Sequence, residues 1–223
     1  MSALLKHTGI ALVLLVTLAA YSTISHAEIG VERSQTLTKN IIYNDQIVTK
    51  PTSVQYVNLN KYAGRWYEIA RLPMYFQRKC ASDVTATYNL NKDIAGKVTS
   101  IDVVNECRKQ DGSMIMAQGL AKPANNTGSQ LKVSFLPSWI RWLPFGKSNY
   151  WVLQLDSDYQ NALVGTPDNK YLWLLSRKPT MAQSTFEKYK NTAKMQGYDL
   201  SKLQVTTHTS IPKTIVDDVD YSK

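Results

Sequence analysis

Eight short runs rich in Val, Thr, Tyr, Leu and Trp, separated by Gly, Asn, Asp and Pro, place the tightest limit on how this chain can fold. They fall at about residues 64–72, 83–90, 97–108, 114–121, 130–135, 149–155, 160–164 and 171–176. Each has the length of a strand, and the residues between them are turn formers. Because most connections are short, neighbouring strands pair antiparallel in an up-and-down order. Eight such strands can close into a barrel that has no free edges and holds one small ligand. The expected fold class is therefore all-β, an eight-stranded up-and-down antiparallel β-barrel.

One segment departs from this pattern. Residues 180–196 carry Ala182, Phe186, Tyr189 and Ala193 at helical spacing, with Lys188, Lys190 and Lys194 off that stripe. Thr180 and Gln183 are spaced as a capping box, and Gly197 stands just past the end. This predicts one amphipathic C-terminal helix flanking the barrel, after which Leu203 and Val205 begin a further short strand.

The flanks bear on where the chain works. Lys6, an apolar run over residues 9–20 and a close at Ser25-His26-Ala27 read as a secretory signal peptide, since the run is well short of the ~20 residues that span a bilayer. The expected division is a signal over 1–27, an extended arm over 28–53 with an apolar island at Ile41-Ile42-Tyr43, the domain over 54–210, and a loose tail over 211–223. No cysteine lies near the processing region, so the expected product is exported, soluble and without a lipid anchor, periplasmic in a Gram-negative host.

Export decides how the rest of the composition is read. The net charge of +9 over 223 residues suits an anionic membrane or an acidic lipid; in an exported chain with no long Lys/Arg run, nucleic acid is not an expected partner. The two cysteines, Cys80 and Cys107, should pair in an oxidising compartment. Of three histidines only His208 lies beyond the signal, which leaves no His-based metal cluster or histidine triad. No metal and no cofactor are expected.

The stretch Asn60-Lys61-Tyr62-Ala63-Gly64-Arg65-Trp66-Tyr67-Glu68-Ile69-Ala70-Arg71 contains a Gly-x-Trp motif that resembles that of the lipocalins, in the extended form of the bacterial lipocalin and apolipoprotein D branch. Asp158-Tyr159 and the run from Tyr171 through Trp173 to Arg177 are similar to the second and third motifs of that family, and the resemblance covers about residues 58–206. It implies a calyx in which Gly64 and Trp66 close one end and Arg177 lies across Trp66 as a structural cation–π partner. Family topology together with strand alternation gives an expected ligand-binding lining of Glu68, Ala70, Val84, Tyr88, Ile101, Val103, Val133, Phe135, Trp151, Leu153 and Trp173. For Glu68 and Tyr88, a polar pair satisfied inside the barrel is the alternative to ligand contact.

A hairpin turning through residues 91–96 would set Val84 opposite Val103, Ala86 opposite Ile101 and Cys80 opposite Cys107, so the disulfide follows from the same register as the apolar pairs. It should staple the second and third strands near the open end. A reactive cysteine, as in the lipocalin-type prostaglandin synthases, is the enzymatic alternative, and export argues for an inert bridge.

By family topology the fifth connection, residues 136–147, lies at the open mouth. It holds Trp139, Ile140, Arg141, Trp142, Leu143 and Phe145 where loops are ordinarily polar. It folds in as a lid or dips into a membrane, with Arg141 and Lys147 at headgroup level. The expected function is binding, sequestration or transport of a small hydrophobic ligand, such as a fatty acid or lysophospholipid, in the cell envelope by a monomer or homodimer. No catalytic residues are expected. The rival is a membrane-associated envelope maintenance or stress protein without a dedicated cargo.

Overall fold

A computed structural model describes residues 41–43, 46–143 and 145–209. The expected signal peptide, the arm up to residue 40 and the expected tail over 211–223 lie outside the described residues. Two short strands, β1 (Ile41–Tyr43) and β2 (Gln46–Val48), pair with each other, and α1 (Leu59–Tyr62) leads into the barrel. The eight barrel strands are β3 (Gly64–Arg71), β4 (Ser82–Lys92), β5 (Val98–Arg108), β6 (Met114–Pro123), β7 (Gln130–Ser134), β8 (Ser148–Leu155), β9 (Asn161–Gly165) and β10 (Leu172–Ser176). Each pairs antiparallel with the next, and β10 returns to β3 to close the wall. The expected barrel with one flanking helix is what the chain forms, and every strand lies within two residues of its expected ends.

Alternation along the strands sorts the apolar residues into two clusters. Inside the barrel lie Trp66, Tyr88, Ile101, Val103, Ala121, Leu131, Val133, Val152, Val164 and Leu175. On the outer face, Leu163, Leu172 and Leu174 meet the buried stripe Phe186, Tyr189 and Ala193 of helix α2 (Gln183–Met195). That helix starts two residues later than the capping box predicts. Ala182 is its N-cap and offers no side-chain hydrogen bond, while the Thr180 carbonyl accepts from Ser176 Oγ at 3.4 Å. Met181, rather than the exposed Ala182, supplies the first buried contact of the stripe.

The hairpin register differs from expectation. Tyr88, not Val84, faces Val103, and Leu90, not Ala86, faces Ile101, a slip of four residues along β4. The turn sits later, with the Asp93 carboxylate accepting from Ala95 N–H and Lys97 N–H at 2.9 Å each. An even slip keeps every side chain on its original face, so the inward set survives. Cys80 and Cys107 are bonded, with Cα atoms 5.5 Å apart, but Cys80 precedes β4 instead of pairing within it. The register breaks between Ser82 and Thr85, around Asp83 at φ +54°, and this irregular start brings Cys80 back over Cys107.

The last described segment completes the wall. Over its first half β3 pairs with β4; over its second half it pairs with β11 (Gln204–Val205) instead. Thr206 N–H donates to Ile69 O, and Asp83 N–H donates to Thr207 O, each at 2.9 Å, so residues 204–207 fill the seam between β3 and the start of β4.

Candidate functional site

The closed end is built around Trp66. Asn58 caps α1 by accepting from Asn60 N–H at 3.0 Å, and the Tyr62 carbonyl at the end of that turn accepts from Trp66 Nε1 at 2.9 Å. The Arg177 guanidinium lies 3.8 Å over the Trp66 ring and donates to the carbonyls of Arg65, Lys61, Tyr62, Ala63 and Tyr159. Gly64 adopts φ +93°, a conformation that favours glycine, and a Cβ there would stand 3.4 Å from Arg177 Nη1, an ordinary contact. Against the outside of this end, loops 56–60, 93–99 and 123–128 border a groove of about 930 Å³.

Above this floor the interior is mixed. Tyr62 and Tyr88 each place a hydroxyl against that of Tyr150, at 2.7 and 2.9 Å. Burial pushes the Tyr88 phenol up to about 12 and raises those of Tyr62 and Tyr150 well above their ordinary value. A continuous ladder of rings runs from the rim downward, Phe76 to Tyr171, Trp173, Tyr150, Tyr88, Tyr62 and Trp66, with successive centroids 5.5, 6.1, 6.4, 6.1, 5.8 and 5.0 Å apart.

Nearer the mouth, Glu68 is buried in an ion pair. Its carboxylate accepts from Arg71 Nη1 at 2.7 Å, Thr206 Oγ1 at 2.6 Å and Gln77 Nε2 at 2.9 Å, and Gln77 Oε1 in turn accepts from Trp173 Nε1 at 3.3 Å. Arg71 Nε has no partner among the described residues. Of the two expectations for Glu68, a satisfied polar group is the one this geometry matches, with Arg71 rather than Tyr88 as its mate.

The sequence-derived lining is divided by the structure. Tyr88, Ile101, Val103, Val133 and Trp173 lie inside, and Val84 is buried at the irregular start of β4. Phe135 is 45% exposed at the rim, its ring against Gly119, where a Cβ would come within 2.8 Å of the ring. Ala70, Trp151 and Leu153 are corrections: all three pack in the helix-side cluster outside the barrel. On β8, Leu131 pairs with Tyr150, which fixes Tyr150 as the inward aromatic and turns its neighbour Trp151 outward. On β3 a register break leaves Ile69 without a partner on β10 between Glu68 and Ala70, so Ala70 joins the outer face and Arg71 turns inward opposite Trp173. Tyr62, Arg71, Gln77, Asn105 and Tyr150 are interior residues that alternation and resemblance did not supply. For Tyr150 the signal was present, because the neighbouring strand's inward Leu131 and Val133 dictate its side.

Inward residues toward the open end keep contact with solvent. Asn105, Ile115, Ala117, Tyr150 and Trp173 are partly or largely accessible, whereas Trp66, Ile101, Ala121 and Leu131 are buried. Two rim loops carry outward aromatics: Tyr75 at 71% and Phe76 at 52% exposure after β3, and Trp139 at 76%, Trp142 at 76% and Phe145 at 60% between β7 and β8. Ile140, Arg141 and Leu143 are half-buried beneath them. Trp142 Nε1 donates to Trp139 O at 3.0 Å and Arg141 Nε to Leu136 O at 3.0 Å, so both side chains bond within the loop's own turn.

A single antiparallel calyx, sealed at one end by a tryptophan under an arginine and accessible at the other, defines the lipocalin class of barrel. The lipocalin-like domain model matches residues 57–208, and the chain belongs to the lipocalin family. It is similar to temperature-induced lipocalin-1 of Arabidopsis thaliana, 40% identical over 162 residues that make up 71% of this chain and 83% of that protein. Outer membrane lipoprotein Blc of Vibrio cholerae is 38% identical over 69% of this chain and 85% of its own length, and apolipoprotein D of Macaca fascicularis 30% identical over 74% and 84%. Among solved structures, lobster apocrustacyanin A1 shares the fold with a TM-score of 0.52 at 20% identity, covering 80% of this chain and all of that one.

Proposed function

We propose that this lipocalin binds a small hydrophobic molecule in its calyx and presents its open rim to a lipid surface, from which cargo enters or leaves. The observation that carries the reading is the gradient along the barrel axis: an apolar inner wall, buried at the Trp66 end and solvent-accessible at the other, beneath a rim of exposed aromatics. Its bacterial and animal relatives, named as an outer membrane lipoprotein and an apolipoprotein, support a lipid as cargo and the cell envelope as its setting. Both cysteines of this sequence are engaged in the disulfide. We therefore assign membrane contact to the rim loop and not to a cysteine-linked lipid. A binder rather than a catalyst also suits the interior, where the bridge removes the thiols and Glu68 is held in its ion pair.

Titration with fatty acids of increasing length, followed by quenching of the inward Trp173, tests the cargo reading. Each buried methylene contributes about 0.8 kcal/mol, so affinity should climb with chain length until the barrel is full. No dependence on length would remove the calyx as the site. The membrane reading is tested with anionic vesicles. A fully buried aromatic contributes roughly 4 kcal/mol by area and a basic residue near the surface about 1, so binding should survive high salt and fail in Trp139→Ser/Trp142→Ser. Should vesicles bind and no apolar ligand do so, the rival reading of a cargo-free envelope protein takes its place.

A further inference from the structure

The floor of the accessible half of the barrel carries polar groups that the protein itself leaves incompletely bonded. Three phenolic hydroxyls, those of Tyr62, Tyr150 and Tyr88, make two contacts in a row at 2.7 and 2.9 Å. Each contact uses one proton, so the third O–H has no acceptor within the row. One inward position nearer the mouth, Asn105 of β5 stands opposite Ala86, next to the Tyr88–Val103 pair. Its amide makes no hydrogen bond among the described residues: Oδ1 is buried without a partner, while the residue as a whole stays partly accessible. A buried polar group without a partner is costly, and a spare phenolic proton and an unpartnered amide oxygen inside one barrel are complementary to a group that supplies both halves.

We propose that the calyx takes its ligand polar group first, docking one neutral group that both donates and accepts, an alcohol or a protonated carboxyl, between the Tyr88/Tyr150 hydroxyls and the Asn105 amide. This rests on the calyx being the binding site, and it specifies the ligand class: an apolar chain or ring system ending in one small uncharged hydroxyl-type group. A charged or zwitterionic headgroup is unsuited to this floor. Its facing groups are neutral phenols and an amide, and the opposite charges of the buried Glu68–Arg71 pair offset each other at 2.7 Å. Because burial raises all three phenols, they remain donors throughout the physiological pH range.

The test uses displacement of the fluorescent probe N-phenyl-1-naphthylamine by three ligands: dodecan-1-ol, its isomer 1-methoxyundecane, which keeps the acceptor and lacks the donor, and dodecylphosphocholine. Wild-type protein should prefer the alcohol over the ether by about five- to ten-fold, the range expected for one buried neutral hydrogen bond. It should prefer the alcohol over the phosphocholine by more. In Asn105→Leu and in Tyr150→Phe, both close to isosteric, the alcohol-to-ether preference should fall to within two-fold, with thermal unfolding checked for each. If only one variant folds, that variant decides. Equal binding of alcohol and ether by the wild type overturns the proposal while leaving calyx binding intact. So does a preference unchanged in the folded variants, as when a water satisfies the floor, or phosphocholine binding as tightly as the alcohol. Failure of all three ligands to displace the probe removes the calyx reading beneath it.

Discussion

The two ends of the barrel use the same residue types in opposite ways. At the closed end Trp66 is fully buried, stacked under Arg177 and hydrogen-bonded through its indole N–H; at the open end Trp139 and Trp142 are three-quarters exposed and bonded only within their own turn. Arginine follows the same division, with Arg177 serving five carbonyls and Arg141 one. One end concentrates stabilising contacts. The other leaves apolar surface where folding gains little from it, which is how a contact surface differs from a core.

The largest effect should come from the closed end. Trp66→Ala removes a fully buried aromatic and leaves the guanidinium without its ring, so urea unfolding should show a loss of about 3–5 kcal/mol. A loss under about 1.5 kcal/mol would mean that the Trp66–Arg177 stack does not anchor the fold. Next, Cys80→Ser/Cys107→Ser should lower stability by roughly 3 kcal/mol through release of the unfolded chain. This is the case in which the open end behaves structurally, and a negligible loss would sharpen the contrast between the ends.

A smaller effect depends on pH. Asp83 is partly buried, which opposes ionisation, yet hydrogen bonds from Thr209, Arg108 and Ser82 hold its carboxyl at about 2 against an ordinary 3.8. Its contribution is therefore complete above about pH 4 and is lost as the pH falls toward 2. With the half-exposed Arg108 screened by solvent, it amounts to about 1–2 kcal/mol. Acid titration of stability should show this slope in the wild type and lose it in Asp83→Asn. The smallest effect is expected at the rim: Trp139→Ser/Trp142→Ser should change unfolding free energy by under about 0.5 kcal/mol. A cost of several kcal/mol would make the loop part of the core and dissolve the comparison.

The elements were legible in the sequence because their signals are local. Alternation and turn residues located all eight strands, and Phe186, Tyr189 and Ala193 marked the buried face of the helix. What depends on two distant residues at once was harder to read. The hairpin register differs by four because the turn is fixed by the Asp93 side chain, while the cysteine pairing agrees because two cysteines offer a single pairing. Tyr150 and Trp151 are adjacent aromatics on one strand, and only the partner strand says which faces in. The bulge that turns Ala70 out and Arg71 in leaves no mark in the local pattern. Gln77, reaching from a rim loop to both Glu68 and Trp173, is a tertiary fact throughout.

The seam filled by residues 204–207 has a bearing on the order of events in making the protein. Until that segment arrives, Ile69 O and Asp83 N–H lack their partners and Glu68 lacks Thr206, so the growing chain carries an unsatisfied strand edge next to an incompletely bonded carboxylate. The contacts that remove this edge join residues about 125–140 apart, among the most distant in the domain, and contacts of that span form slowly. The wall is thus completed by almost the last part of the domain to leave the ribosome, so the barrel has an open seam until nearly the whole domain has been made.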